Sequence, residues 1–224
     1  MPAATKHLLI VNVLAFFASY VLQRYGVNLN ELFGLHFFLA PDFHFYQLFT
    51  YLFLHQSFPH LFFNMFAVWM FGRILEQIWG SKRYLIYYVI CGVGAGLCQE
   101  LVQYIEFVSE FSAFSSVRMN DIVISMGEYL NYWNTVGASG AVYGILLAFG
   151  MTFPNQEMFI FPLPMPIKAK YFVIGYAVIE LLEGISNRPG DNIAHFAHLG
   201  GMLFGLILIL YWRKKNRDYE RFYY

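Results

Sequence analysis

Six stretches of this chain are apolar over nearly the length a helix needs to cross a bilayer, about 20 residues. They run from about Leu8 to Leu22, Leu61 to Trp79, Tyr84 to Tyr104, Val136 to Phe153, Tyr171 to Ile185 and Ile193 to Trp212. The fourth lies in a stretch, Tyr129 to Gln156, that carries no charged residue. Lipid offers no partners to backbone N–H and C=O groups, so such segments are expected to be helices. Hydrophobic residues make up 58% of the chain and charged residues 12%, against about 25% charge in soluble domains. This excludes intrinsic disorder and an ordinary cytosolic enzyme. With 14 basic and 14 acidic residues the net charge is zero, which removes nucleic acid as a partner on bulk electrostatics. Cys91 and Cys98 fall inside the third segment and read as packing residues, neither a disulfide framework nor a metal knuckle. Gln23, Arg24 and Tyr25 follow the first segment with no small-residue cleavage pattern, so it reads as a mature span. There is no internal repeat or linker. The expected fold is all-α: a polytopic membrane protein with six transmembrane helices in a single domain over 1–224.

Basic residues set the expected orientation. With both termini on the cytoplasmic side, the inner connections hold Lys6, Lys82, Arg83, Lys168 and Lys170, and the tail adds Arg213, Lys214, Lys215, Arg217 and Arg221. Only Arg24, Arg118 and Arg188 fall outside. Ten against three predicts N-in and C-in, in the inner membrane if the chain is bacterial. The first outer loop, about Tyr25 to Pro59, is dense in Phe33, Leu35, Phe37, Phe38, Leu39, Phe43 and Phe45, a composition suited to the outer leaflet interface. The second, about Phe107 to Asn134, carries Glu110, Asp121 and Glu128 and is expected to face water.

Against this apolar background the polar residues inside the spans are the informative ones, because each is costly in lipid. The second span opens with His60 and has Asn64 four residues on, which places both on one helix face. The fourth opens Gly137-Ala-Ser139-Gly140, and the sixth carries His195, His198 and Gly201. In the expected topology all three helices begin on the outer side, so Ser139, His60, Asn64 and His198 share one depth. Singly, each has a plainer role: glycines at spacing four pack helices, and a buried serine bonds its own helix backbone. Together they suggest a nucleophile and base, Ser139 and His198, with Asn64, His60 and backbone N–H groups as oxyanion donors. Glu180, Glu183 and Asp191 lie on the fifth span or in the loop after it, so a dyad is the simpler reading. The segment is not Gly-x-Ser-x-Gly. A metal site from His60, His195 and His198 lacks both a His-Glu-x-x-His pattern and an adjacent carboxylate. No metal or cofactor is expected.

These residues resemble the rhomboid intramembrane serine proteases over nearly the whole six-span core. The resemblance is carried by His55-Gln-Ser-Phe-Pro-His60-Leu-Phe-Phe-Asn64, by Gly137-Ala-Ser139-Gly140 with Tyr143, by Ala197-His198-Leu-Gly-Gly201, and by Glu76 followed by Gly80-Ser-Lys-Arg-Tyr84. It implies Ser139 as nucleophile and His198 as general base and acid. His60, Asn64 and the Ser139 N–H would be oxyanion donors, and Tyr143 would pack on the His198 ring. Gly201 would let the fourth and sixth helices approach, while His55, His195, Gly137 and Gly140 would be supporting residues. Where the family often has Trp-Arg in the first outer loop this chain has Tyr46-Gln47, which is expected to tie the loop with fewer, uncharged bonds. The resemblance also implies that the fifth helix and the connection from Gly184 to Asn192 act as a gate, and that single-span transmembrane proteins are the substrates. Two rivals stand beside an intramembrane serine endopeptidase: a non-catalytic rhomboid-like protein that binds membrane helices, and a channel or transporter. The absence of an inverted repeat speaks against the last.

Overall fold

The structure is a computed structural model and describes residues 1–159, 165–186 and 194–223, with side chains as far as Lys215. Pro189 and Gly190, with most of the expected gate connection, lie outside the described residues, as do Asp191, Arg188 and the side chains of Arg217 and Arg221.

Among the described residues the apolar segments form six long helices: α1 (Ala3–Gln23), α2 (Phe58–Trp79), α3 (Ser81–Glu106), α4 (Ser139–Thr152), α5 (Ala169–Ser186) and α6 (His195–Tyr223). Four helices among the described residues are long and apolar enough to cross a membrane by themselves, α1, α2, α3 and the part of α6 up to Lys215. Lys170, Glu180 and Glu183 lower the apolar character of α5, and α4 has only 14 residues. Fourteen residues reach about 21 Å, short of the ~30 Å hydrocarbon core. Helix α4 therefore has to begin or end below a membrane surface. Its start comes later than the expected Val136 because Gly137 adopts φ +135°, which no helix tolerates.

α6 packs chiefly on α3 and α4, and glycines permit these approaches. A Cβ on Gly201 would fall 1.9 Å from the Gly140 carbonyl oxygen, and one on Gly140 would fall 2.3 Å from the Ala95 Cβ. Two helices whose backbones touch in this way form a rigid crossing. Three tyrosines of α3, Tyr84, Tyr87 and Tyr88, fill the centre, and the Tyr87 hydroxyl donates to the Gly144 carbonyl at 2.8 Å. Cys91 and Cys98 are both free thiols, and each packs against a glycine, Gly144 and Gly200 respectively. At the opposite end from the α6 start, Glu76 accepts from the Ala4 and Thr5 N–H groups, the Thr5 hydroxyl and the Ser81 hydroxyl at 2.6–2.8 Å, so the start of α1 is tied to the α2–α3 turn.

The long first loop folds into short helices around the strand β1 (Leu35–His36). Only part of its aromatic density is available to lipid. Phe45, Phe38 and Leu39 are exposed, whereas Leu35 and Phe37, expected at the interface, are fully buried. Leu35 packs with Tyr51 and Leu52, and Phe37 with Leu130 and Trp133 of the second loop. The second loop continues α3 as a π-turn over Phe107–Phe111, then forms a hairpin of β2 (Ser116–Met119) and β3 (Ile122–Ser125). Its Glu110, Asp121 and Glu128 are exposed. Strand β4 (Asn134–Thr135) pairs antiparallel with β1 and leads into the Gly137 turn.

Candidate active site

The starts of α2, α4 and α6 and the end of α5 surround one cavity of about 1000 Å³, whose walls include Ser139, His198, His60, Gly140 and Gln103. Ser139 is the first residue of α4. The opening N–H groups of a helix have no carbonyl of their own helix to bond, so the Ser139 N–H points out of the helix start at its positive end. The Ser139 Oγ lies 2.8 Å from Nε2 of His198, which is buried one turn into α6. Across α4, the Tyr143 ring stacks on the His198 imidazole at 4.2 Å with the planes 7° apart.

His60 projects over the Gly137 turn. A Cβ on Gly137 would meet the His60 Nε2 at 2.8 Å and the Ser139 Oγ at 3.6 Å, so this glycine keeps open the space between the two side chains. Asn64 lies one turn further along α2 and is buried, and its amide donates to the His60 carbonyl at 2.9 Å. One amide N–H is thus spent on its own helix, leaving the second for other acceptors. Asn64 lies beneath His60 and outside the cavity lining. His55 packs edge-on against His60 with ring centroids 4.9 Å apart. Burial, and then the neighbouring His60, pushes the His55 imidazole down to about 3, so it is uncharged at neutral pH.

Residues 42–215 match the Rhomboid domain. The chain belongs to the rhomboid family. This rhomboid is 27% identical over 161 residues to Rhomboid protein 1, mitochondrial, of Saccharomyces cerevisiae, covering 69% of this chain and 38% of that protein. It is 28% identical over 161 residues to Rhomboid protease AarA of Providencia stuartii, covering 69% and 51%. Rhomboid protease GlpG of Yersinia pseudotuberculosis is 25% identical over 164 residues, covering 73% and 46%. The chain therefore spans between 38% and 51% of the length of these relatives. Family and apolar helices together make it an integral membrane protein.

The rhomboid site contains an acid that sequence reasoning set aside. Glu180, near the end of α5, places Oε2 2.9 Å from Nδ1 of His198 and 2.7 Å from Nδ1 of His195, and its Oε1 accepts from the Tyr143 hydroxyl. The sequence offers no obvious acid and makes a dyad the simpler reading; the structure sets this carboxylate beside the histidine because the end of α5 packs against the start of α6. One sequence signal points to it. Glu180 is an ionisable residue within an apolar helix, which demands a partner. Glu180, His195 and His198 also present ligand atoms within 4.8 Å of one another, so these three, rather than the set containing His60, are where a metal ion could be held.

Gln47 replaces the expected shortfall with a full set of contacts. Its Oε1 accepts from the His44 N–H at 3.0 Å and the His36 N–H at 3.4 Å, and its Nε2 donates to the Asp42 carbonyl at 3.0 Å and the Leu32 carbonyl at 3.5 Å. It is 1% exposed, and an amide supplies both donors and acceptors there where a guanidinium offers donors alone.

Proposed function

We propose that this rhomboid is an intramembrane serine endopeptidase that cuts single-span membrane proteins within or beside the bilayer. The observation that carries the reading is the 2.8 Å Ser139 Oγ–His198 Nε2 contact on the wall of a cavity sunk among apolar helices. His198 Nε2 takes the Ser139 hydroxyl proton as Oγ attacks the scissile carbonyl. It then passes that proton to the departing amine, leaving an acyl group on Oγ. A water molecule delivers its own proton to the same nitrogen, attacks the acyl carbon and releases the second product, and Ser139 regains its hydrogen.

The oxyanion of each tetrahedral intermediate would meet the Ser139 N–H and His60, and the free amide hydrogen of Asn64 would join them by rotation of its side chain from beneath His60 into the cavity. Tyr143 keeps the imidazole plane fixed, and Gly201 with Gly140 holds the two helices close enough for the pair to meet. His55 supports His60. His195 belongs to the support of His198, through the carboxylate they share. The excess of basic residues on one side supports an N-in, C-in topology in which the cavity opens outward. Only Ala169, Val173 and Glu180 of α5 are buried, so α5 is the most weakly held wall and the one a substrate helix would displace.

The test is labelling with a fluorophosphonate alongside cleavage of a single-span model substrate in proteoliposomes. Both should occur in the wild type and disappear in Ser139→Ala and His198→Ala. Cleavage that persists in Ser139→Ala, or labelling unchanged in His198→Ala, would refute the assignment in favour of a different nucleophile or base, and a wild type that neither labels nor cleaves would favour a helix-binding protein.

A further inference from the structure

We infer that Glu180 is a positioning residue, a third member of the machinery that selects the ring orientation and tautomer of His198; this rests on the protease reading above. Stacking on Tyr143 defines the plane of the His198 ring but not which edge faces Ser139. A half-turn about the Cβ–Cγ bond keeps the same stack and exchanges Nδ1 with Cδ2. The Glu180 carboxylate removes that ambiguity, because only one of the two orientations brings Nδ1 to 2.9 Å from Oε2 while Nε2 stays 2.8 Å from the Ser139 Oγ.

The same contact selects the tautomer. Oε2 faces two imidazole Nδ1 atoms, those of His195 and His198, and Oε1 receives the Tyr143 hydroxyl. An ionised carboxylate, here 6% exposed, accepts from both ring nitrogens and the phenol at once, so in its ordinary charged form each of the three donates to it. His198 then carries its proton on Nδ1, and Nε2 is left with the lone pair that accepts the Ser139 proton. The opposite tautomer sets an Nδ1 lone pair against a carboxylate oxygen and leaves the serine facing an N–H, with no base. The carboxylate holds no proton at any stage. It stabilises the imidazolium that exists between the two proton transfers.

Because Glu180 belongs to α5 and the other members to α4 and α6, the site is complete only while the end of α5 lies against the start of α6. Glu180 is also the sole buried side chain in the half of α5 nearest the site, among the described residues. Docking of that wall and readiness of the base are one event.

The experiment compares Glu180→Gln and Glu180→Asp with the wild type in cleavage and in fluorophosphonate labelling, with His198→Ala as reference. Glu180→Gln should lower kcat on the order of 10²–10⁴-fold with KM little changed, since its amide can donate to Nδ1 and enforce the wrong tautomer. Glu180→Asp should recover part of the loss. A Glu180→Gln protein that cleaves and labels at the wild-type rate overturns the inference while leaving the protease reading intact. A wild type that neither labels nor cleaves overturns both. Should the variant not fold, 15N chemical shifts of histidine-labelled wild type in micelles decide the matter. A His198 protonated on Nδ1 is expected, and one protonated on Nε2 refutes the inference.

Discussion

Gly201→Ala tests how much of the site depends on backbone contact between α4 and α6. The added methyl carbon would stand 1.9 Å from the Gly140 carbonyl oxygen, where ordinary contact begins near 3.4 Å. The obstacle is main chain in the first turn of α4, so no side chain can rotate away. The helices must part by about 1.5 Å, the shortfall between those two distances. Ser139 lies one residue from Gly140 and His198 one turn before Gly201, so the separation falls largely on their contact. Widening 2.8 Å by even ~1 Å carries it past hydrogen-bonding range. A misplacement of ~1 Å costs on the order of 10²-fold in rate, and overpacking of this kind costs about 1–3 kcal/mol in stability. The assay is the rate of fluorophosphonate labelling in micelles at a temperature where circular dichroism reports the variant still folded. A folded Gly201→Ala protein that labels within about threefold of the wild type would refute the claim that this crossing sets the dyad distance.

Three further outcomes are expected. Replacing Gln47 by Ala takes the acceptor from the His36 and His44 N–H groups, while the Leu32 and Asp42 carbonyls keep the Tyr46 hydroxyl and the His44 ring; it should destabilise the protein by about 2–4 kcal/mol in denaturant unfolding, with proteolysis of the first loop accelerated. Tyr143→Phe retains the stacked ring and loses the bond to Glu180, so its rate should fall far less than that of Tyr143→Ala, which loses both; equal losses would place the effect in the hydroxyl alone. His55 has a folded-state value near 3 against an ordinary 6.5, so the unfolded chain binds the extra proton first and stability is lost as pH falls between these values. The slope should be about 1.4 kcal/mol per pH unit in that window, read from unfolding at pH 6 and 5, and should shrink by one proton in His55→Gln.

The apolar segments announced the helices because hydropathy is a local property of the chain. α2, α3 and α6 lie where their composition puts them, and Ser139, His198 and Tyr143 were recognisable from short motifs. Two readings that depended on neighbours came out differently. Leu35 and Phe37 looked like interfacial residues, yet they are buried, because β1 pairs with β4 and draws the first loop under the second. Gln47 looked weaker than the residue it replaces, yet it satisfies groups from four positions that only the folded loop brings within reach.

Glu180 marks the boundary most clearly. Its type and its place in an apolar helix follow from sequence, and they state that a costly charge needs a partner. Which partner it finds depends on the rotation of α5 about its own axis and on the return of the chain to begin α6, and neither is encoded in any local pattern. Sequence alone established a membrane helical bundle with a serine and a histidine at matched depth. Tertiary structure decided that a carboxylate joins them, because a hydrogen bond forms only when packing brings two groups within about 3 Å, a precision that helix periodicity does not supply.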